Sequence, residues 1–190
     1  MFKLSILFSI FSLTTVGLAQ GSFVVDGNTK TLPLIGLEYV EDKAGTASID
    51  DIASLKDKSW EYSADKVLNF GYTDSAYWVR FYLKNNTKVT KNLILEIGYP
   101  ALDRIDLFSK TAEGLWSEKR SGDSIPLNQH EIKYNKSVFK INIPQENTKE
   151  FFLRFKTEGS IQIPLTLWTN LAFIEKVSDE RSGLFLYFGI

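Results

Sequence analysis

The residues best suited to contact a ligand lie within residues 69–85, where alternation of apolar and polar residues predicts a β-strand. Successive side chains of a strand point to opposite faces, so Val79 lies on the core face while Trp78 and Arg80 share the other. An indole offers a flat apolar surface, and a guanidinium donates hydrogen bonds in a fixed fork. This second face therefore suits a sugar or another polar organic ligand.

Arginine is scarce in this chain and is concentrated in predicted strands. Three of the 5 arginines, Arg80, Arg104 and Arg154, fall in the middle of such strands, whereas most of the 17 lysines fall in turns or near strand ends. If these strands share one sheet, its outer face collects the predicted ligand-binding residues, which are Trp78, Arg80, Arg104, Asp106, Arg154 and Trp168. The alternative is that Arg–Asp cross-strand pairs and arginines stacked on tryptophan only complete the second face of the sheet.

The composition excludes several classes of function. A net charge of −1 and the lack of a basic stripe give no attraction for polyanions, so no nucleic-acid partner is predicted. The absence of cysteine removes disulfides, thiolate metal sites and cysteine nucleophiles, and it is compatible with export. Once an N-terminal signal is subtracted, roughly 170 residues fit one domain that buries its own core.

Both ends of the chain predict export and membrane attachment. In residues 1–19, Lys3 precedes an apolar run that ends in small residues, as in a secretory signal peptide; an uncleaved anchor helix is the alternative. Residues 20–170 then form the predicted folded domain, and residues 171–182 a short amphipathic helix or juxtamembrane linker. The wholly apolar residues 183–190 predict the first turns of a transmembrane helix, with a strand or helix tucked into the core as the alternative.

Period-two alternation dominates the middle of the chain and predicts an all-β sandwich or barrel. The predicted strands are residues 23–25, 34–40, 67–70, 77–85, 92–97, 102–109, 115–119, 136–143, 150–156 and 161–169. One short helix interrupts them, with Ser48 as its cap and Asp51 at its third position. Ile52 and Leu55 would then face inward.

Sequence features of catalysis are scarce. The single histidine, His130, lies in a polar loop and is expected to be exposed to solvent rather than to act as a general base. Neither a nucleophile elbow nor a glycine-rich phosphate loop follows a predicted strand. Two carboxylates could still meet as a glycosidase pair, and a loop could hold a structural calcium. The sequence therefore predicts a protein that is not an enzyme and that uses no cofactor or catalytic metal.

From residue 34 to its end, the chain resembles 7TMR-DISM extracellular domain type 2, the periplasmic sensor domain of bacterial seven-transmembrane receptors with diverse intracellular signalling modules. The resemblance rests on the order and spacing of the segments LNFGYTDSAYWVRFYLKN, YPALDRIDLF, SGDSIPL and FFLRFKTEGSIQIPLTLW. Trp78 and Arg80 match the family's W-x-R strand, and Arg154 matches its later arginine strand. After SGDSIPL the family often has an arginine, and this chain has His130 near that place, so its ligand specificity would differ if that arginine contacts the ligand.

The resemblance implies a jelly-roll β-sandwich, similar to carbohydrate-binding modules, that senses a carbohydrate or another small polar ligand at the periplasmic face of the inner membrane. It also implies attachment through C-terminal helices and signalling through seven helices to a cytoplasmic output module. Two alternatives stay open. The same face could dock another protein, including a second copy of the chain as a homodimer. The protein could also be a secreted glycoside-active enzyme with two carboxylates across a cleft.

Overall fold

The computed structural model describes residues 21–188, and it describes side chains for residues 21–182. The predicted signal peptide at residues 1–19 lies outside this range. Residues 21–188 form thirteen strands and two α-helices, in the order β1 (Ser22–Val25), β2 (Thr31–Pro33), β3 (Leu37–Asp42), α1 (Ile49–Ala53), β4 (Glu61–Ser63), β5 (Leu68–Tyr72), β6 (Ala76–Asn85), β7 (Lys91–Ile97), β8 (Arg104–Lys110), β9 (Trp116–Ser121), β10 (Ser137–Ile143), β11 (Thr148–Lys156), β12 (Ser160–Ile163), β13 (Leu165–Thr169) and α2 (Asn170–Phe188).

Most of these strands form two packed layers, which confirms the predicted all-β jelly-roll sandwich. The first layer is a seven-stranded sheet with the order β4-β3-β6-β11-β8-β9, in which β1 runs parallel to the end of β6. The second layer is a four-stranded sheet with the order β10-β7-β13-β2. A two-stranded sheet, β12-β5, adds Leu68, Ile161 and Ile163 to the same core.

The core between the layers is formed by the side chains that the alternation predicts to face inward. Val79, Phe81 and Leu153 point inward from the seven-stranded sheet. Leu95 and Phe139 approach them from the four-stranded sheet. All of these side chains are fully buried, and burying one Val, Leu or Phe contributes about 1.5–3 kcal/mol. Because these residues face the core, the alternate residues of β6 and β11, which include Trp78, Arg80 and Arg154, lie on the outer face of the sheet.

The structure differs from the predicted strands mainly at residues 161–169. Alternation predicts one strand there, but the chain forms two, with Pro164 between them. A proline fixes φ and has no N–H to donate, so strand pairing does not continue through it. As a result β12 pairs with β5, whereas β13 pairs with β7 and β2. Alternation also does not predict the short strands β2 and β4.

Helix α1 begins where the sequence predicts it. The Ser48 hydroxyl accepts from the Asp51 N–H at 3.2 Å, and the Asp51 carboxylate accepts from the Ser48 N–H at 2.9 Å. An N-cap of this kind typically contributes about 1 kcal/mol. Ile52 is buried, and Leu55, just past the helix, packs against the same apolar cluster, so both face inward as predicted.

Helix α2 packs on the outer face of the four-stranded sheet, where its Phe173 is buried against Ile94 and Val138. It includes residues 171–182, which the sequence predicts as a helix or linker. Among the described residues, no helix has both the length and the apolarity that crossing a membrane requires. The start of a transmembrane helix at residues 183–190 stays a prediction, because those side chains lie outside the described part of the chain.

Candidate functional site

Five of the six residues predicted to bind a ligand lie on one face of the seven-stranded sheet, the face turned away from the other layer. On this face Arg154 of β11 lies directly between Trp78 of β6 and Asp106 of β8. Arg80 and Arg104 lie two residues from Trp78 and Asp106 on the same strands, and hence on the same face. We call this surface the aromatic/arginine face and define it by Trp78, Arg80, Arg104, Asp106, Phe108, Phe152 and Arg154.

Trp168 does not share this face, contrary to the expectation from the sequence. Its strand, β13, belongs to the four-stranded sheet, because the chain changes sheets at Pro164. Trp168 instead packs near Ile94 and Phe173 under α2, on the opposite outer face of the sandwich. The structure thus separates it from the other five predicted residues.

Residues 43–60, which include α1, cover the aromatic part of this face, and we call them the covering segment. They form a second hydrophobic core with the rings of the sheet, made of Ile52, Trp60, Trp78, Phe108 and Phe152. Trp78 is only 1% exposed. The sequence led to the expectation of an open binding surface, which is wrong for the aromatic part. Large apolar rings on the outer face of a sheet require a cover of their own.

Polar contacts tie the covering segment to the sheet at both of its sides. Arg154 Nη2 donates to the carbonyl oxygen of Gly45 at 2.7 Å. The carboxylate of Asp42 accepts from the Gly45 N–H at 2.8 Å, which fixes that turn. Across the face, the indole N–H of Trp116 on β9 donates to Asp50 at 2.8 Å. The covering segment is therefore docked by specific hydrogen bonds as well as by apolar packing.

Arg80 is fully engaged inside the protein. Its Nε donates to Glu38 at 2.9 Å, and its Nη2 donates to Asp57 of the covering segment at 3.0 Å. Its guanidinium also lies 4.6 Å from the centroid of the Trp60 ring, a cation–π contact. Burial alone would lower the pKa of Arg80, but the hydrogen bonds to Glu38 and Asp57 and the neighbouring charges together outweigh burial, and the pKa is raised. Arg80 thus fits the alternative in which an arginine only completes the sheet.

Three other arginines, Arg104, Arg120 and Arg154, gather around one buried carboxylate. Asp106 accepts from Arg104 Nε at 2.9 and 3.0 Å and from Arg154 Nη1 at 3.3 Å. Arg120 Nε lies 3.7 Å from the same carboxylate and pairs with Glu118 at 2.7 Å. The side chains of Arg104 and Arg120 are 43% and 55% exposed, so part of each fork faces solvent, and we call this pair the arginine rim. The sequence missed Arg120 because the predicted strand ended one residue too early.

Three buried N–H groups in this region have no acceptor among the described residues. They are Nε1 of Trp60, Nε1 of Trp78 and Nε of Arg154. The Arg154 guanidinium lies 5.9 Å from the centroid of the Trp78 ring, so these two donors share one small region. A buried donor without an acceptor costs about 1–3 kcal/mol, and native proteins usually satisfy it with a water or a ligand. These three donors are hydrogen-bonding groups that the described residues leave unused.

Comparison with known proteins identifies the family. Residues 36–169 match the family described as 7TMR-DISM extracellular 2. The chain belongs to this family. Comparison with curated protein sequences gives no match. Among solved structures, one described as TmCBM61 in complex with beta-1,4-galactotriose is similar at a TM-score of 0.33 and 9% identity, covering 70% of this chain and 88% of that chain. A likeness this distant carries no argument about the ligand.

Membership in the 7TMR-DISM extracellular 2 family confirms the resemblance drawn from the sequence. The family implies an extracellular sensor domain of a membrane receptor, which in a bacterium faces the periplasm. A sensor family also favours a domain that binds a ligand over one that catalyses a reaction.

A metal site and a functional role for His130 are the other possibilities to test in this 7TMR-DISM extracellular 2 domain. Within residues 21–182, no group of three or more His, Cys, Asp or Glu side chains lies close enough to hold a metal ion. His130 is half-buried rather than exposed, and its Nε2 lies 2.9 Å from the carbonyl oxygen of Ile125. It lines a groove of about 640 Å³ together with Tyr134 and Lys136, which does not include the aromatic/arginine face.

Proposed function

We propose that this domain senses a small polar ligand, a carbohydrate or a similar molecule with hydroxyl or carboxylate groups, at the aromatic/arginine face. The observation that carries the proposal is the set of buried N–H donors on Trp60, Trp78 and Arg154, which lie among aromatic rings. Hydroxyl and carboxylate oxygens are the acceptors that such donors require, and the rings offer apolar surface to a sugar. The chemistry of this ligand class therefore complements the face.

Entry of the ligand requires the covering segment to move, because Trp78 is buried beneath it. The arginine rim, Arg104 and Arg120, lies exposed at the edge of the face and supplies forked donors for the first contact. The hydrogen bond from Arg154 to Gly45 is one that opening would break. A ligand that binds the open arrangement better shifts the balance toward it, and such differential binding is what a receptor needs to signal.

The carboxylates on this face support binding rather than catalysis. Asp106 accepts from Arg104 and Arg154, and Glu38 accepts from Arg80. A general acid or a nucleophile needs a carboxylate that faces the substrate, whereas these carboxylates face arginines. We therefore propose a sensor without catalytic activity.

A protein-docking role for the same face has less support. A docked partner needs exposed aromatic area, and the aromatic rings here are buried under the covering segment. Export by the signal peptide at residues 1–19, attachment to the inner membrane through helices that follow residue 182, and a homodimer stay part of the proposal as predictions from the sequence.

A thermal-shift screen of saccharides, amino acids and small carboxylates on the purified chain tests the proposed function. We expect at least one compound to raise the melting temperature. Arg154→Lys keeps a positive charge but removes the Nε donor, so it should weaken binding of that compound about tenfold or more. Lys66→Arg, at an exposed position outside the face, likewise keeps the positive charge and is the control. The proposal fails if no compound stabilises the chain, or if both variants lose binding alike.

A further inference from the structure

A second concave surface lies beside α2, where the two layers of the sandwich meet. It is a groove of about 1090 Å³ lined by β8, β9 and β11 of the seven-stranded sheet, by β7 and β10 of the four-stranded sheet, and by one side of α2. Its floor is apolar and includes Leu107, Ile141, Phe151 and Phe173. We call it the α2 groove. None of the residues that define the aromatic/arginine face lines it, so the two surfaces are separate.

The α2 groove is lined by cations, and no acidic side chain is among its described lining residues. The cations are Lys110, Lys119, Lys140, Lys149 and Arg181. Lys119 pairs with Glu131 at 2.9 Å, whereas the other four make no ion pair with a described residue. The parts of the chain whose side chains are not described contain no Asp or Glu that could neutralise them. The groove thus concentrates positive charge in a chain whose net charge is −1.

We propose that the α2 groove binds an amphiphilic anion, a molecule with an acyl or aryl body and a terminal carboxylate. The body lies on the apolar floor, and the carboxylate contacts the amine of Lys149. Lys149 shares the inward side of β11 with Phe151, and its Nζ lies 5.5 Å from the centroid of the Phe151 ring on the groove floor. Burial of the body and charge-assisted hydrogen bonds both favour this ligand class. This site goes beyond the ligand proposed for the aromatic/arginine face.

Lys149 has the most to gain from a bound anion. Burial lowers the pKa of Lys149, and the neighbouring charge of Lys119 lowers it further. A carboxylate beside Lys149 opposes both effects, because it favours the charged ammonium. The contribution of Lys149 to binding should therefore be large for a single lysine.

The groove also connects its ligand to α2. Asn170, Ile174, Val177 and Arg181 follow each other at spacings of three or four residues, so they line one side of the helix. Ile174 is exposed although it is apolar, and an acyl chain in the groove covers it. A ligand in this position touches the sandwich and the helix at once. Its binding therefore favours one arrangement of α2 relative to the sandwich.

Isothermal titration of the purified chain with decanoate, kept below its critical micelle concentration, tests this site. We expect saturable binding of decanoate and much weaker binding of acetate, which lacks the apolar body, and of decanol, which lacks the charge. The variant Lys149→Gln should weaken decanoate binding about tenfold or more. The matched control is Lys66→Gln, which changes the net charge equally at an exposed lysine outside the groove. It should bind decanoate like the wild type.

A second variant tests the site at an exposed position, where a substitution should not disturb folding, and leaves the lysines in place. Ser178→Trp, at an exposed position that lines the groove, obstructs part of it without changing the core and should weaken decanoate binding. Equal losses in the two lysine variants, or decanol binding as tight as decanoate, would overturn the proposal. Binding of phosphatidylglycerol vesicles without binding of decanoate would also overturn it, because the groove would then contact a membrane surface. Trp78→Phe should leave decanoate binding unchanged, so this site and the aromatic/arginine face can fail separately.

Discussion

Two tryptophans, Trp78 and Trp168, lie on opposite outer faces of the sandwich, and they differ in their hydrogen bonds. The Nε1 of Trp168 donates to the carboxylate of Glu96 at 2.7 Å. The Nε1 of Trp78 has no acceptor among the described residues. In the sequence the two look alike, since each lies on the non-core side of a predicted strand. Only their partners distinguish a tryptophan that completes a structural junction from one that can still donate to a ligand.

The surroundings of Trp168 form a complete network that attaches α2 to the sandwich. Buried Glu96 accepts from Lys176 at 2.7 Å, and Lys176 also donates to the hydroxyl of Tyr134 at 2.9 Å. Burial would lower the pKa of Lys176, but the hydrogen bonds to Glu96, Tyr134 and Glu180 and the charge of Glu96 together outweigh burial and raise it. We call Glu96, Tyr134, Trp168, Lys176 and Glu180 the α2 junction. Its polar groups pair with one another, whereas the aromatic/arginine face keeps donors unused.

Glu96→Gln should break the α2 junction and have the largest effect on stability. It removes the buried carboxylate that accepts from both Lys176 and Trp168 and leaves Lys176 only its pair with Glu180 at 3.2 Å, so the free energy of unfolding should fall by about 3 kcal/mol in urea titrations. Glu175→Gln, at an exposed position of the same helix, is the control and should change it by less than about 0.5 kcal/mol. Equal losses in both variants would contradict a structural role for the junction.

Trp78→Phe and Trp168→Phe sharpen the comparison directly, because each removes one indole N–H. Trp78→Phe should weaken binding of a ligand found in the thermal-shift screen about tenfold or more, since the ligand loses its donor. Trp168→Phe should leave the ligand affinity unchanged, although it removes the hydrogen bond to Glu96. Titration of both variants with the same ligand measures the difference. Loss of affinity in Trp168→Phe alone would reverse the assignment of the two tryptophans.

Asp57→Asn should loosen the covering segment without changing either core. The Asp57 side chain is 91% exposed, so losing its contact with Arg80 should cost less than about 1 kcal/mol. Amide hydrogens of the covering segment should exchange faster, while those of β6 and β11 keep their rates. Asp123→Asn, an exposed loop aspartate, is the control. Faster exchange throughout the sandwich would show that the covering segment does not open by itself.

The smallest expected effect is a pH dependence of the free energy of unfolding, and it arises from Glu180 of the α2 junction. The hydroxyl of Tyr134 donates to Glu180 and lowers the pKa of Glu180, and Lys176 lowers it further. Because this pKa lies below the ordinary value of 4.5, charged Glu180 stabilises the fold above that value, and its contribution is lost as pH falls through the lowered folded-state pKa. Urea unfolding should show the wild type more stable than Glu180→Gln at neutral pH and equally stable in strong acid. The same difference at both pH values would contradict this account.

The architecture could be predicted because it follows from local patterns. Alternation along β6 and β11 predicted which side chains face the core, and Val79 and Leu153 are buried there. The capping pattern of Ser48 and Asp51 predicted the start of α1. The prediction fails where a single residue interrupts a local pattern. Pro164 separates β12 from β13, so Trp168 lies in the other sheet. This proline was the feature of the sequence that indicated the break.

The closure of the aromatic/arginine face could not be predicted in the same way, because it depends on packing between distant segments. Trp116 and Asp50 are 66 residues apart in the sequence and yet share a hydrogen bond. A signal was present in the inward-facing Ile52, since an apolar helix face must pack against something. The sequence did not say which surface it covers, and therefore did not reveal that Trp78 is buried.

The indole N–H signals of the 4 tryptophans in a proton–nitrogen NMR spectrum test the central claim most directly. Single Trp→Phe variants assign the signals, and the chain is then titrated with the best ligand from the thermal-shift screen. The account predicts that the signals of Trp60 and Trp78 move as their N–H groups gain an acceptor, while the signal of Trp168 stays in place. Unchanged signals of Trp60 and Trp78 alongside a moving Trp168 signal would contradict it.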